Sequence, residues 1–133
     1  MIFTSGTTSL PKGILLSHEQ LINNSRAMVE AMHWGASDKM CITVPLFHCF
    51  GITAGVIACI TGGMDMCLIP YFRTAHVWDA IEKYECTILN GVPSMFLALI
   101  RKPQYAQRKA PKLKSGIIAG SPCTPEDFLE ICR

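Results

Sequence analysis

The sequence predicts an α/β fold in which a parallel sheet carries helices on both faces. Short apolar runs without alternation, such as MCITV at 40–44 and CTILN at 86–90, read as strands buried on both sides. They alternate with stretches of helical period, the order of βα units. Three loops, at 5–12, 45–51 and 119–122, each follow a predicted strand, and ligands of parallel sheets gather at such carboxyl ends.

The elements follow in order. Residues 1–4 read as the end of a strand, 5–12 as a hydroxyl-rich loop, and GILLS at 13–17 as a second strand. Ser17 with Gln20 three positions on is a capping box that opens a helix running to Trp34, and Gly35 stops it. Leu21, Ile22, Ser25, Met28, Val29 and Met32 give that helix one face. A strand at 40–44, a loop at 45–51 and a small-residue helix at 50–61 come next, the helix closed by Gly62 and Gly63.

DMCLIP at 65–70 is another buried strand, and Thr74 caps a helix whose Val77, Trp78, Ile81 and Tyr84 share a face. After the 86–90 strand, Gly91, Val92 and Pro93 introduce a helix at 94–101, followed by a polar, basic loop at 102–112. SGIIAGSP at 115–122 is a strand and turn. Thr124, Pro125, Glu126 and Asp127 then place a cap, a proline and two acids at a helix start.

Of the 133 residues, 50% are hydrophobic and 17% charged, against about 25% charged in ordinary domains. The chain thus has ample core material, and the apolar surplus points to neighbours that it would pack against. A net charge of +2 gives no footprint for nucleic acid. Seven cysteines, with no CxxC pair, suit free thiols in a reducing cytosol, so a cytoplasmic location is expected. Residues 44–64 lack Lys, Arg, Asp and Glu, yet Pro45, His48 and four glycines interrupt them. A buried helix is expected there, with no transmembrane segment.

FTSGTTSLPKG at 3–13 sets glycines, hydroxyls and one lysine directly after a strand. Glycine lets backbone N–H groups turn toward an anion, hydroxyls donate to it, and lysine adds a point charge. It is not a Walker A loop: Pro11 stands where the second glycine would be, and a strand follows instead of a helix. Composition alone leaves a solvated connecting loop open, as it leaves open a plain packing role for His48.

FTSGTTSLPKG followed by ILLSHEQL closely resembles the phosphate-binding signature T-S-G-T-T-G-x-P-K-G of the adenylate-forming (AMP-binding) enzymes. Only Ser9 departs, standing where glycine is usual; at a left-handed position serine costs about 1 kcal/mol or more. PLFHCFG at 45–51, NGVPSMF at 90–96 and LKSGIIAGSPCTPE at 113–126 are similar to later segments of that family, in the same order.

The resemblance implies a carboxylate activated by ATP to an acyl-adenylate and passed to a thiol such as CoA. It implies that Thr4, Ser5, Gly6, Thr7, Thr8, Ser9, Leu10, Pro11 and Lys12 hold the phosphates, with the Thr8 hydroxyl helping to hold Mg²⁺. Lys12 and His48 would be catalytic, His48 ordering the α-phosphate and the incoming carboxylate. Gly91, Val92 and Pro93 would border the acyl group, and Ala119, Gly120, Ser121 and Pro122 would run along the adenine.

Peptide-synthetase relatives carry an acid near LFHCF to meet an amino group; none stands here, which favours an acyl-CoA synthetase of fatty-acid type. Nothing resembling the family's Y-G-x-T-E and T-G-D segments, or its small C-terminal domain, occurs in residues 1–133. The expectation is a partial adenylation domain, inactive alone. A nucleotide-binding module without turnover and an inert packing piece are the alternatives.

Overall fold

The computed structural model of the protein describes residues 1–4 and 10–133. The expectations for Ser5, Gly6, Thr7, Thr8 and Ser9 lie outside the described residues. Flanking them, β1 (Ile2–Thr4) and β2 (Lys12–Ile14) pair antiparallel, Thr4 opposite Lys12. This hairpin is separate from the main sheet, in which β3 (Lys39–Ile42) lies between β4 (Asp65–Leu68) and β5 (Ile88–Asn90), all parallel.

The strand expected at 115–118 runs along the far side of β5 through two parallel bridges, Ile88 with Ser115 and Gly91 with Ile118. It is no regular strand because its Ile117 N–H donates to the Asn90 side chain, at 2.9 Å, instead of to a backbone carbonyl. The two strands also approach too closely for a side chain: a Cβ on Gly116 would stand 2.0 Å from the Leu89 carbonyl oxygen.

Strand alternation explains the two-faced core. Met40 and Ile42 point to one face, where they meet Val29 and Trp34 beside α1 (His18–Ala31) and Ala58 and Cys59 of α3 (Ala58–Gly62). Cys41 points to the other, with Val77, Ala80 and Ile81 of α4 (Thr74–Tyr84) and Leu99 of α5 (Pro93–Ile100). Helices therefore cover both faces, as expected. The last helix, α6 (Pro125–Ile131), is tied to α5 by Arg101, whose guanidinium pairs with Asp127 and Glu130.

Caps account for most boundaries. Ser17 Oγ accepts the Gln20 N–H at 3.1 Å while the Gln20 side chain accepts the Ser17 N–H at 2.9 Å, a complete capping box. The helix stops short of the expected Trp34. His33 adopts φ +53°, and the N–H groups of His33 and Trp34 donate to Glu30 and Val29, a Schellman ending with histidine in glycine's usual place. Trp34 is then free to bury, its indole N–H on Ser115 Oγ at 2.9 Å. Thr74 is not a cap: Arg73 occupies that position, and the Thr74 hydroxyl bonds the Tyr105 hydroxyl.

The amino ends of the strands are clamped by Asp38, which is 3% exposed. Its carboxylate accepts from Thr87 Oγ1 at 2.8 Å and from the Gly35 N–H at 3.1 Å, and pairs with Lys114 at 2.8 Å. Burial by itself pushes this carboxyl up, but Lys114, Thr87 and the Gly35 N–H outweigh it and hold it below its ordinary value. A depressed carboxyl contributes stability that is present above its unfolded pKa and lost as pH falls through the folded one. Asp38→Asn is expected to lower the urea-unfolding free energy at pH 7 by about 2 kcal/mol. The gap from wild type should shrink at pH 3, and an equal gap at both pH values would contradict this.

All seven cysteines are free thiols, three of them fully buried. Burial pushes the Cys59 thiol up to about 11, which makes it inert. Among the described residues no helix is long and apolar enough to cross a membrane.

Candidate functional site

The chain leaves β3 through PLFHCFG, and the conformation of this loop follows from its first and last residues. The His48 N–H donates to Pro45 O at 3.1 Å and the Gly51 N–H to His48 O at 3.0 Å. The loop folds back so tightly that a Cβ on Gly51 would lie 2.2 Å from the Pro45 carbonyl oxygen. His48 caps the helical turn that follows, Cys49–Gly51 (α2), its Nδ1 accepting the Phe50 N–H at 3.1 Å. Because Nδ1 accepts, the neutral ring carries its hydrogen on Nε2, a donor suited to an oxygen anion.

His48 stands on the rim of a cleft of about 620 Å³ at the carboxyl ends of β3 and β5. Ala119 and Gly120 form a second side of it. Gly120 has φ +88°, a left-handed value, and its Cα packs so near Val92 that a Cβ would stand 3.0 Å from Cγ1. The remaining walls are Leu16, Gln20, Leu21, Asn24 and Met28 of the α1 region, together with Cys49, Phe50, Thr53, Ala54 and Ile117. Among the described lining residues, His48 and Cys49 bring the imidazole and a thiol, and none carries a fixed charge. The arrangement offers a neutral donor and backbone groups at the rim above a mostly apolar floor, which fits a molecule with a polar head and an uncharged body.

The structure brings His48, Ala119 and Gly120 together. Ser121 and Pro122 are exposed beyond Gly120 and do not line the cleft. Gly91, Val92 and Pro93 lie at the end of β5; Gly91 and Pro93 are buried, and Val92 supports Gly120. Thr4, Leu10, Pro11 and Lys12 are exposed on and beside the β1–β2 hairpin, and none is among the residues lining the cleft. A second cleft, about 680 Å³, runs beside β4 between Lys39, Asp65 and Lys83 and contains none of the site residues expected from the sequence.

Two features of the site escaped the sequence. Gln20 is expected only as half of the capping box and Asn24 lies off the expected apolar face of α1, yet both line the cleft. Asn90 is 1% exposed; it donates to the Ala54 carbonyl and accepts from the Ile117 N–H, both at 2.9 Å, so it joins the floor of the cleft to the 115–118 segment. Its signal was available: a lone asparagine within an apolar strand run.

The chain is similar to known proteins over nearly its whole length. YngI of Bacillus subtilis, provisionally named an acyl-CoA synthetase, is 44% identical over 126 residues, which cover 95% of this chain and 23% of YngI. The acyl-CoA ligase sidI of Beauveria bassiana is 41% identical over 130 residues, 97% of this chain and 22% of sidI. The human mitochondrial medium-chain acyl-CoA ligase ACSF2 is 36% identical over 129 residues, 93% of this chain and 21% of ACSF2. Among solved structures, ATP-bound MatB from Rhodopseudomonas palustris superposes with a TM-score of 0.87 at 25% identity, over 98% of this chain and 25% of MatB. The chain therefore spans between a fifth and a quarter of the length of these curated relatives. A family model described as AMP-binding enzyme matches residues 1–131, and the chain belongs to that family.

Proposed function

We propose that the protein is an acid–CoA ligase that forms an acyl-adenylate, with residues 1–133 supplying part of its large domain. The observation that carries this reading is the meeting of His48 with Ala119 and Gly120 on one cleft whose described lining has no fixed charge, in a chain of the AMP-binding family. In the first step a carboxylate oxygen attacks the α-phosphorus of ATP; the new acyl–O–P bond forms as the bond to the pyrophosphate oxygen breaks. In the second, the CoA thiol attacks the acyl carbon and AMP leaves.

Such chemistry rests on position and charge balance. The His48 Nε2–H donates to an oxygen of the carboxylate or the α-phosphate. The Lys12 ammonium balances the leaving pyrophosphate, together with the loop of Thr4, Ser5, Gly6, Thr7, Thr8, Ser9, Leu10 and Pro11. The backbone at Ala119, Gly120, Ser121 and Pro122 borders the nucleotide, and Gly91, Val92 and Pro93 back the acyl side. Among the described residues no cluster of three His, Cys, Asp or Glu side chains holds a cation. The donor assigned to Mg²⁺ by resemblance, the Thr8 hydroxyl, lies outside them, so no step here is routed through the metal. The free thiols suit the reducing cytoplasm as the compartment.

MgATP titrated into the chain should bind, and Lys12→Ala should weaken binding about tenfold, the worth of one charge-assisted bond. Binding without turnover in the intact protein would favour the nucleotide-binding module, and no binding the inert piece. ATP–pyrophosphate exchange across a panel of carboxylic acids tests the ligase itself. Silence with every acid would remove the reading.

A further inference from the structure

The helical run that begins at Cys49 and ends at Gly62 does not wind uniformly. Between α2 and α3, residues Ile52–Ile57 form a π-helical turn, in which the Ala58 N–H reaches back to the Thr53 carbonyl. Such a turn carries an extra residue and persists only where its surroundings hold it. Two buried side chains do so. Ser25 Oγ donates to the Thr53 carbonyl and Asn90 Nδ2 to the Ala54 carbonyl, each at 2.9 Å. Ser25 is 0% and Asn90 1% exposed, and neither lines the cleft.

The extra residue matters for what faces the cleft. Thr53 and Ala54 line it, while Ala58 and Cys59 are fully buried in the core. Both Thr53 and Ala54 lie within the π turn, and it presents their two small side chains to the cleft opposite α1.

We propose that this turn, held by Ser25 and Asn90, sets the length of acyl chain that the cleft admits. Thr53 and Ala54 form the limiting wall, and the substrate class is the unbranched monocarboxylic acid with an uncharged tail, longer than acetate. This rests on the ligase reading above. The tail is uncharged because a second carboxylate among Leu21, Met28, Phe50 and Ile117 would be desolvated without a partner. Ser25 and Asn90 are positioning residues, acting through the carbonyls that they hold.

The test is ATP–pyrophosphate exchange by the intact protein with straight-chain acids from butyrate to laurate, and with the dicarboxylate suberate. In Thr53→Leu, whose added atoms enter the cleft, the ratio of kcat/KM for decanoate to that for butyrate should fall about tenfold. In Ser25→Ala, which is nearly isosteric and removes only the donor, it should fall about threefold. Suberate should be used about a hundredfold less well than octanoate. A ratio unchanged in both variants, including uniform loss with every acid, overturns the inference, as does suberate equal to octanoate. Wild-type exchange with no acid at all would defeat the ligase reading and this inference with it; exchange with an unchanged ratio defeats this one alone.

Discussion

Asn90→Leu is expected to lower the unfolding free energy by about 3–5 kcal/mol. Leucine matches asparagine in side-chain heavy-atom count and branching and is more apolar, so the transfer of apolar surface alone would predict no loss. The loss comes from the partners. The amide donates to the Ala54 carbonyl and accepts from the Ile117 N–H, both at 2.9 Å, and its Nδ2 also lies 3.6 Å from Met40 Sδ. Removing the amide strands one backbone acceptor and one donor away from water, each at about 1–3 kcal/mol. The two stranded groups belong to the π turn and the 115–118 segment, so both should loosen together. Urea titration followed by far-UV circular dichroism gives the free energy, and amide exchange at Ile117 gives the local effect. A change below about 1 kcal/mol, with Ile117 still protected, would show that other groups take over these bonds.

The parts legible in the sequence are those with local causes. The capping box at Ser17 and Gln20, the Thr124 cap on Asp127 N–H and the glycine ending at Gly63 are each decided within a few residues. The buried, non-alternating runs at 40–44 and 86–90 likewise announce a parallel sheet covered on both faces, whereas the run at 65–70, expected to be buried, is the mostly exposed edge strand β4. What stayed hidden depends on residues far apart in the chain. Helix α1 ends early because Trp34 turns back to reach Ser115, and His33 accepts a left-handed backbone to allow it. The π turn exists because Ser25 and Asn90 supply donors from either side, 28 and 36 residues away from the carbonyls they meet. No periodicity within 50–61 records those partners.

The site divides in the same way. His48, Ala119 and Gly120 were found because their segments resemble a family's motifs, and the fold brings them to one cleft. Gln20 and Asn24 lie off the apolar stripe of α1, so helical periodicity gives them no part in a site. Only the position of the Cys49–Gly51 turn opposite them makes that face a wall.

The loop that carries His48 supplies the other large effect. Gly51→Ala should cost about 3 kcal/mol or more, although Gly51 has an ordinary helical φ of −72°. Conformational freedom is not what the position requires; space is. The added methyl would lie 2.2 Å from the Pro45 oxygen, 2.6 Å from its carbonyl carbon and 2.9 Å from the Val44 oxygen. All three are backbone atoms at the exit of β3, and no rotamer change relieves them. To fit the methyl, the chain must open the bonds from His48 N–H to Pro45 and from Gly51 N–H to His48, which set the imidazole in place. Gly35→Ala is the control, since a Cβ there meets nothing within 4 Å, and it should change stability by under about 1 kcal/mol. Nitrogen-15 spectra of His48 should show Nδ1 losing its bond from the Phe50 N–H in Gly51→Ala and keeping it in Gly35→Ala. If both variants unfold alike and both keep that bond, the loop has room that its geometry denies, and the glycine is not what aims the histidine.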